Sequence, residues 1–328
     1  MQTLRQILEE IRAYSDGQKM SREPQNLYEP IAYILKLGGK RLRPALVLMG
    51  CNLFREDLQK ALPAAYAIEL FHNFTLMHDD IMDNAPLRRG QPTVHERYNR
   101  NTGILSGDAM LTLAYQYLMS TGADERVSAE VIRIFNKCAI EVCEGQQMDM
   151  DFENRTDVSI PEYLKMIELK TAVLLGAALE IGAIIGTATP EDAHHLYEFG
   201  KNLGISFQLQ DDILDSFGDP ATFGKKVGGD ISQNKKTFLY LHFLELATSQ
   251  DRDALLNWYH TETTESRSAE KIEAVKTIFL NCGVVEKADE LKNQYYQNAL
   301  KNLQRVGAPE SSKSILHEFA ADLLNRNV

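Results

Sequence analysis

The chain has 328 residues, 44% of them hydrophobic, and its 46 acidic and 35 basic side chains give a net charge of −11. This length and apolar content suffice to bury a large core. The acidic excess argues against nucleic acid and against an anionic membrane surface as partners. No linker rich in proline, glycine and serine interrupts the chain, which predicts one domain over residues 1–328.

Cysteine usage and the N-terminal segment bear on the cellular compartment. The four cysteines form no CxxC pair, which favours reduced core thiols in a cytoplasmic protein. Residues 1–19 are amphipathic and mixed in charge, unlike a signal or transit peptide. The most apolar run, residues 171–189, contains glycines and Glu180. We expect a core helix there and no membrane span, although length alone does not decide between them.

Helical signals dominate the chain. Apolar residues recur with helical periodicity, and the alternating patterns and Asn-Gly turns that are typical of hairpins are missing. Ser159 with Glu162 three residues later, and Thr189 before Pro190, are typical of helix starts. We therefore predict an all-α protein of ten or more helices joined by short loops, with no sheet.

Residues 38–44, GGKRLRP, place three cations at a junction between two predicted helices. The glycines allow a ligand to approach the backbone closely. Arg43 offers a bidentate fork for phosphate oxygens, and Lys40 offers a point charge. This combination indicates a diphosphate site, and the alternative is a solvated basic loop.

Residues 72–90 contain an acidic cluster at the end of an apolar helical run. Asp79 and Asp83 are four residues apart and share one helix face, and Asp80 lies one step around it. Carboxylates that crowd into one turn repel each other unless a cation neutralises them, and an all-oxygen site suits Mg²⁺. Arg88 and Arg89 follow after a proline-containing turn.

Two segments in the middle of the chain carry charge in unusual surroundings. Lys170 interrupts the apolar run of residues 166–185, and a charge there is costly unless it meets an anion. Gln146 and Asp149 are spaced by about one helical turn. They line a metal–diphosphate site or belong to an exposed acidic turn, and the sequence leaves both open.

The Asp-Asp-x-x-Asp pattern occurs a second time, after the apolar residues 203–209. Asp211, Asp212 and Asp215 form this copy, and a loop rich in glycine and lysine follows it. A single motif could be a solvated helix end, but two copies on apolar helices favour a shared role. Mg²⁺ can bridge such carboxylates to phosphate.

These motifs together resemble the trans-type polyprenyl synthetase family. The residues that carry the resemblance are Gly38 to Pro44, His72, both aspartate motifs, Arg88 to Gly90, Gly145-Gln146, Lys170-Thr171, Phe207-Gln208 and Lys225 to Lys235. The resemblance implies an all-α helical bundle surrounding a central active-site cavity, and a homodimer. It also implies a Mg²⁺-dependent enzyme that condenses isopentenyl diphosphate with an allylic diphosphate, namely dimethylallyl, geranyl or farnesyl diphosphate.

The resemblance also assigns roles to single residues. It places the diphosphate of isopentenyl diphosphate at Lys40, Arg43, His72 and Arg89. It places the allylic diphosphate at Arg88 and Lys170, and the allylic cation beside Thr171 and Gln208. Lys225 and Lys235 match phosphate-contacting lysines of the family's closing loop, and Phe207 is expected to bind substrate. Magnesium, which we expect as three ions with substrate bound, is assigned to Asp79, Asp80, Asp83, Asp211, Asp212 and Asp215. The residues expected to act in catalysis are Asp79, Asp83, Asp211, Lys170, Thr171 and Gln208.

Product length is expected to depend on Phe74, five residues before Asp79 and so deeper along the helix. In the family, this position forms the floor of the cavity that receives the growing chain, and aromatic residues there accompany short products. Thr75, beside it, is smaller than the second aromatic residue of many farnesyl synthases. We predict a product of twenty carbons, with fifteen as the alternative.

Two other functions are weaker alternatives. His72, His78 and Asp79 suggest an all-helical metal phosphohydrolase of the HD type, but residues 38–44 and 211–215 would then be unexplained. A non-catalytic partner subunit of the same fold would have no reason to keep both aspartate motifs complete.

Overall fold

A computed structural model describes residues 2–219, 227–260 and 267–324 of the protein. Helices α1 to α7 cover Leu4–Gly17, Gln25–Lys36, Leu42–Asn52, Leu62–Met82, Val94–Arg97, Arg100–Met119 and Glu125–Asn154. Helix α8, Ile160–Ile167, continues through a π-helical turn, Glu168–Ala172, into α9, Val173–Ile185, and α10, Pro190–Phe217, follows. Helices α11 to α16 cover Gly229–Ser232, Phe238–Leu246, Ser249–His260, Ser268–Asn281, Val284–Arg305 and Glu310–Leu324.

The all-α prediction is confirmed, but the expectation of no sheet is wrong at one place. Two-residue strands, β1 (Leu87–Arg88) and β2 (Gln91–Pro92), pair antiparallel. Arg89 and Gly90 between them have φ values of 54° and 75°, which suit the tight turn of a two-residue hairpin. The sequence lacked the usual Asn-Gly signal, because here an arginine occupies the first left-handed position.

Contacts between Cα atoms divide the chain into two compact units, each built from separate stretches of sequence. Unit 1 comprises Met1–Lys137, Ala177–Tyr197 and Val306–Ile315, and unit 2 comprises Cys138–Gly176, Glu198–Arg305 and Leu316–Val328. The single domain over residues 1–328 stays a prediction. Within the described part of the chain, no helix is both long enough and apolar enough to cross a membrane.

Unit 1 is built on helix α4, which packs against α2, α3 and α6. This helix is buried around most of its circumference, as expected for a helix that is apolar on all sides. Phe71 of α4 meets Phe135 of α7 edge to face, with ring centroids 5.1 Å apart. Its C-terminal end carries the first aspartate motif, so the core of unit 1 fixes the position of that motif.

Unit 2 has its own apolar core around helix α12, which packs against α8, α14 and α15. Its largest buried side chains include Phe238, Phe243 and Phe279. The cysteines are divided differently from the prediction of core thiols. Cys51 and Cys138 are buried, but Cys143 is exposed and Cys282 is half-buried.

Glycines bring two helices of unit 1 into backbone contact. A β-carbon added at Gly182 of α9 would lie 1.9 Å from the carbonyl oxygen of Val47 in α3, and one added at Gly50 would lie 2.4 Å from that of Leu179. Only glycine fits at such a distance, so this contact sets how closely α3 and the C-terminal part of α9 approach.

We predict that Gly182→Ala destabilises the protein by at least about 2 kcal/mol, because the added methyl group overlaps backbone atoms that cannot move aside cheaply. Gly17→Ala is the matched control, since nothing lies within 4 Å of a β-carbon there. Alanine in place of a helical glycine should be neutral or slightly stabilising at that site. Urea unfolding followed by circular dichroism measures both effects, and equal stabilities of the two variants would contradict the close contact.

Candidate active site

The first aspartate motif lies where helix α4 ends. The backbone N–H of Asp83 donates to the carbonyl oxygen of Asp79 at 2.8 Å, which closes the last turn of the helix. Asp79 is half-buried and Asp83 is exposed, whereas Asp80 is only 2% exposed. The two aspartates that share a face therefore lie nearer to solvent than the one between them.

Asp80 is held by Arg88. The guanidinium donates from Nε to Oδ2 and from Nη2 to Oδ1, both at 2.8 Å. Arg88 is in strand β1, and the hairpin that contains it folds back to the end of α4. A bidentate pair of this kind neutralises a buried carboxylate and orients both side chains. Asp80 and Arg88, predicted to bind metal and substrate respectively, thus bind each other in this structure.

Several basic side chains lie around the loop between helices α2 and α3. The guanidinium of Arg89 lies against Gly39, where an added β-carbon would be 2.8 Å from Nη2. Arg43 Nη1 is 3.2 Å from His72 Nε2. Burial, and then the charges of Arg43, Arg89 and Arg88, lower the pKa of His72 well below its ordinary value. The ring is therefore neutral near pH 7 and accepts a hydrogen bond from Arg43.

Of the residues expected to hold isopentenyl diphosphate, Arg89 contacts this loop at Gly39 and Lys40 is exposed on it. Arg43 lies in the first turn of helix α3, where it contacts His72. Gly39, at φ 147°, adopts a backbone conformation that favours glycine. The sequence predicted a junction between two helices that contains glycines and basic residues, and the structure has such a junction here.

His78 makes packing contacts within unit 1. Its Nε2 lies 3.1 Å from the carbonyl oxygen of Ile104 in helix α6, and its ring meets Phe74 edge to face at 4.8 Å. Gly107 makes room for the ring, because a β-carbon there would be 2.2 Å from Nε2. His78 therefore does not join His72, which contacts Arg43, as the metal phosphohydrolase alternative requires.

Phe74 and Thr75 are placed by the same part of α4. Phe74 is 9% exposed and contacts Phe71, with ring centroids 5.7 Å apart. The hydroxyl of Thr75 donates to the carbonyl oxygen of His72 at 2.8 Å. Phe71, Phe74 and His78 thus form one aromatic layer within unit 1.

The second aspartate motif lies in helix α10 of unit 2, and its middle residue is again buried. Asp212 is 4% exposed and accepts hydrogen bonds from the Tyr163 hydroxyl, from Gln208 Nε2 at 3.4 Å and from the Phe238 N–H at 3.4 Å. Burial, and then the charge of Asp230, raise the pKa of Asp212 to about 8, although these hydrogen bonds oppose the rise. Nearby positive charge would favour its ionised form.

Asp215, the last aspartate of this motif, holds the start of helix α11. Its Oδ2 accepts the backbone N–H of Asp230 at 2.9 Å, and its carbonyl oxygen accepts the N–H of Gly228 at 2.6 Å. Asp230 in turn lies 3.6 Å from Lys235 Nζ. Asp211 is half-buried one position before Asp212. Lys225, predicted to contact diphosphate, lies outside the described residues.

Lys170 lies in the π-helical turn between helices α8 and α9. Such turns are rare and occur frequently at functional sites. Its Nζ is 2.6 Å from Asp149 Oδ2 of helix α7. Gly145 permits this approach, because a β-carbon there would lie 2.2 Å from the backbone nitrogen of Lys170. Asp149 therefore lies in a helix and pairs with Lys170, which argues against the exposed acidic turn.

Thr171 and Gln208 lie close together, as their assigned roles require. The Thr171 hydroxyl donates to Gln208 Oε1 at 3.5 Å, and Gln208 reaches Asp212. Phe207, half-buried, precedes Gln208 in helix α10. This chain of side chains leads from the π-helical turn to the second aspartate motif.

Two polar side chains of the site region were not predicted from the sequence. Tyr163 donates to Asp212, and Lys271, fully buried, donates to the side-chain oxygen of Asn234 beside Lys235. Lys271 Nζ also lies 5.2 Å from the ring centroid of Tyr259. Neither residue belongs to a motif, so only the tertiary contacts could reveal them.

Comparison with known proteins places the chain in a family. The family model described as polyprenyl synthetase matches residues 24–278. The chain is 42% identical to the short chain isoprenyl diphosphate synthase of Methanocaldococcus jannaschii, over 77% of this chain and 75% of that protein. It is 36% identical to the geranylgeranyl diphosphate synthase of Methanosarcina mazei, over 92% and 90% of the two chains.

A solved structure of geranylgeranyl pyrophosphate synthase superimposes with a TM-score of 0.92 at 46% identity, covering 99% of each chain. The protein therefore belongs to the polyprenyl synthetase family and is a prenyltransferase. The resemblance inferred from the motifs is confirmed, and the phosphohydrolase and the non-catalytic subunit are excluded.

We predict that His72→Gln flattens the dependence of stability on pH in the acid range. The pKa of His72 is lowered on folding, so the unfolded chain binds a proton that the folded chain does not as the pH falls. The stability that the neutral ring contributes is present above about pH 6.5 and lost below it. The loss between pH 7.5 and pH 5.5 should reach about 1.4 kcal/mol in the wild type.

Urea unfolding at both pH values measures this difference. The control is His317→Gln, which removes a histidine from helix α16 and should keep the wild-type loss. If His72→Gln loses as much stability between pH 7.5 and pH 5.5 as the wild type does, another group is responsible for the pH dependence.

Proposed function

We propose that the protein is a geranylgeranyl diphosphate synthase, which adds isopentenyl diphosphate to an allylic diphosphate and stops at twenty carbons. The observation that carries the chain length is Phe74, an aromatic side chain in the buried layer below Asp79, with the smaller Thr75 beside it. The names of the relatives from Methanosarcina mazei and of the matching solved structure support the same product.

The carboxylates suit magnesium, because all their donor atoms are oxygens and Asp79 and Asp83 are one turn apart near solvent. We assign the ions to the outer aspartates, Asp79, Asp83 and Asp211, with three ions expected when substrate is bound. Asp80 and Asp212, whose oxygens already accept protein donors, orient Arg88 and Tyr163 instead. When bound, Mg²⁺ neutralises the charge that develops on the departing diphosphate.

In this proposal the loop between α2 and α3 binds isopentenyl diphosphate. Lys40, Arg43 and Arg89 supply positive charge, and neutral His72 holds the Arg43 guanidinium by accepting one of its protons in a hydrogen bond. The remaining donors of Arg43 are directed by that contact. The role of His72 is therefore to orient a cation rather than to add one.

The residues around the π-helical turn bind the allylic partner. Lys170, steadied by Asp149, contacts the allylic diphosphate together with Arg88 and the lysines of the following loop, Lys225 and Lys235. The oxygens of Thr171 and Gln208 face the allylic cation and stabilise its charge. Departure of the diphosphate leaves this cation, the double bond of isopentenyl diphosphate attacks it, and the released diphosphate accepts the proton that is then lost.

The enzyme is also proposed to work as a homodimer in the cytoplasm. Helix α6 leaves Ile104, Leu105 and Met119 41%, 60% and 62% exposed. Large apolar side chains along one helix are the surface that a second copy of the chain would cover. Analytical ultracentrifugation of the purified protein tests this assignment.

Sizing the products tests the proposed function directly. Purified enzyme is incubated with Mg²⁺, isopentenyl diphosphate and each allylic primer in turn. We expect a main product of twenty carbons from every primer. A main product of fifteen carbons would overturn the chain length and leave the reaction class standing. The absence of any condensation by folded protein would contradict the reaction class.

We predict that Phe74→Ala shifts products beyond twenty carbons, because it removes the aromatic side chain below Asp79. The cavity should also cost about 3 kcal/mol of stability. Phe279→Ala is the control, since it removes a fully buried phenylalanine from unit 2 and should lose similar stability without changing product length. The same products from Phe74→Ala and from the wild type would show that another side chain sets the depth.

A further inference from the structure

Unit 1 contains a cavity of ≈ 650 Å³ that the proposed reaction does not use. Its walls come from helix α1, from the connection to α2, and from α2 itself. Gly38 and Arg41, from the loop that binds isopentenyl diphosphate in our proposal, complete its rim, and Tyr66 of helix α4 also lines it.

Positive charge prevails around this cavity. Its lining contains four cations, Arg12, Arg22, Lys36 and Arg41, and two carboxylates, Asp16 and Glu29. Glu29 already accepts a hydrogen bond from the Tyr98 hydroxyl at 3.2 Å. In residues 2–219, 227–260 and 267–324, none of the four cations forms an ion pair. Unpaired cations around a concave surface attract anions, although the whole chain is acidic.

Tyr66 brings a hydroxyl group to the cavity beside apolar side chains. Tyr66 is 4% exposed, and its ring is held between Tyr14 and Tyr117 at centroid distances of 6.0 and 4.8 Å. Burial raises the pKa of Tyr66 far above its ordinary value, so its hydroxyl stays a donor. Among the described residues that hydroxyl has no hydrogen-bond partner. Met20 and Leu35 add apolar surface.

The lining therefore suits a ligand that carries several negative oxygens. Three arginines provide planar forks that match phosphate oxygens, and Lys36 adds a point charge. The Tyr66 side chain lines the cavity, and a phosphate oxygen would accept a hydrogen bond from its hydroxyl. The volume lies within the range of small-molecule sites.

We propose that this cavity is a further diphosphate-binding site, separate from the aspartate motifs and from the two substrate diphosphate sites. Its ligand carries a diphosphate group, either as free inorganic diphosphate or as the head of a prenyl diphosphate, both of which the proposed reaction releases. The site shares a loop with one of these: Gly38 and Arg41 line the cavity, while Lys40 and Arg43 belong to the isopentenyl diphosphate site. The backbone of this shared loop has positive φ at Gly38, Gly39 and Arg41.

Occupancy of the cavity is therefore linked to binding at the isopentenyl diphosphate site, since a ligand that holds Arg41 biases the conformation of the loop. By linkage, each ligand changes the affinity of the other by the same factor. This consequence rests on the proposed function, whereas binding itself does not require turnover.

The first test is calorimetric titration with inorganic diphosphate in the presence of a chelator. The background variant Arg43→Ala/Arg89→Ala/Lys170→Ala weakens both substrate diphosphate sites, so the remaining binding reports the cavity. Adding Arg12→Ala/Arg22→Ala should weaken that binding at least tenfold. Adding instead Arg126→Ala, an exposed arginine of α7 outside the cavity, should leave it unchanged. No remaining binding in the background variant, or equal affinity in all variants, would overturn the proposal, whether or not the enzyme is active.

Titration with geranylgeranyl diphosphate then distinguishes the two sources. Tighter binding than that of inorganic diphosphate, lost on Arg12→Ala/Arg22→Ala, would assign the apolar surface at Met20 and Leu35 to a prenyl tail. Equal binding would assign the site to the free anion. Steady-state kinetics test the linkage between the two sites. In the wild type, inorganic diphosphate should lower kcat at saturating substrate concentrations. In Arg12→Ala/Arg22→Ala it should raise KM and leave kcat unchanged. The same inhibition pattern in both would refute the linkage.

Discussion

Clustered negative charge beside an anionic substrate is the constraint on which this site depends. Each aspartate motif resolves it in the same way, by burying its middle carboxylate against protein donors. Asp80 is held by the Arg88 fork, and Asp212 accepts Tyr163, Gln208 and the backbone of Phe238. A buried carboxylate without such partners would be strongly unfavourable. The outer aspartates are then left nearer to solvent, where cations can reach them.

Glycines allow close approach of several groups near these carboxylates. Gly39 admits the Arg89 guanidinium, Gly107 admits the His78 ring, and Gly145 admits the backbone of Lys170. In each case a β-carbon would overlap the neighbouring group, so the position of that group depends on the glycine. The motifs of this chain therefore combine chemistry with close packing.

Much of this arrangement could be predicted from the sequence, because helical periodicity and motif spacing are local properties. The all-α class was predicted correctly, and the cationic loop lies between two helices as expected. Tyr163 and Lys271 were not, since their roles depend on contacts with residues far away in the chain. The Arg89-Gly90 hairpin and the π-helical turn at Lys170 were missed because neither has a strong sequence signal. The pairing of Asp80 with Arg88 likewise could not be predicted from the sequence.

The division between inner and outer aspartates is tested most directly by the magnesium dependence of the rate. The Mg²⁺ concentration for half-maximal rate is measured for wild type, Asp83→Asn and Asp80→Asn. The outer variant should require at least about tenfold more Mg²⁺, equivalent to about 1.4 kcal/mol of lost binding. The inner variant should stay within about twofold of wild type and instead raise KM for the allylic diphosphate through misplaced Arg88. Equal increases in the Mg²⁺ requirement of both variants would contradict the division.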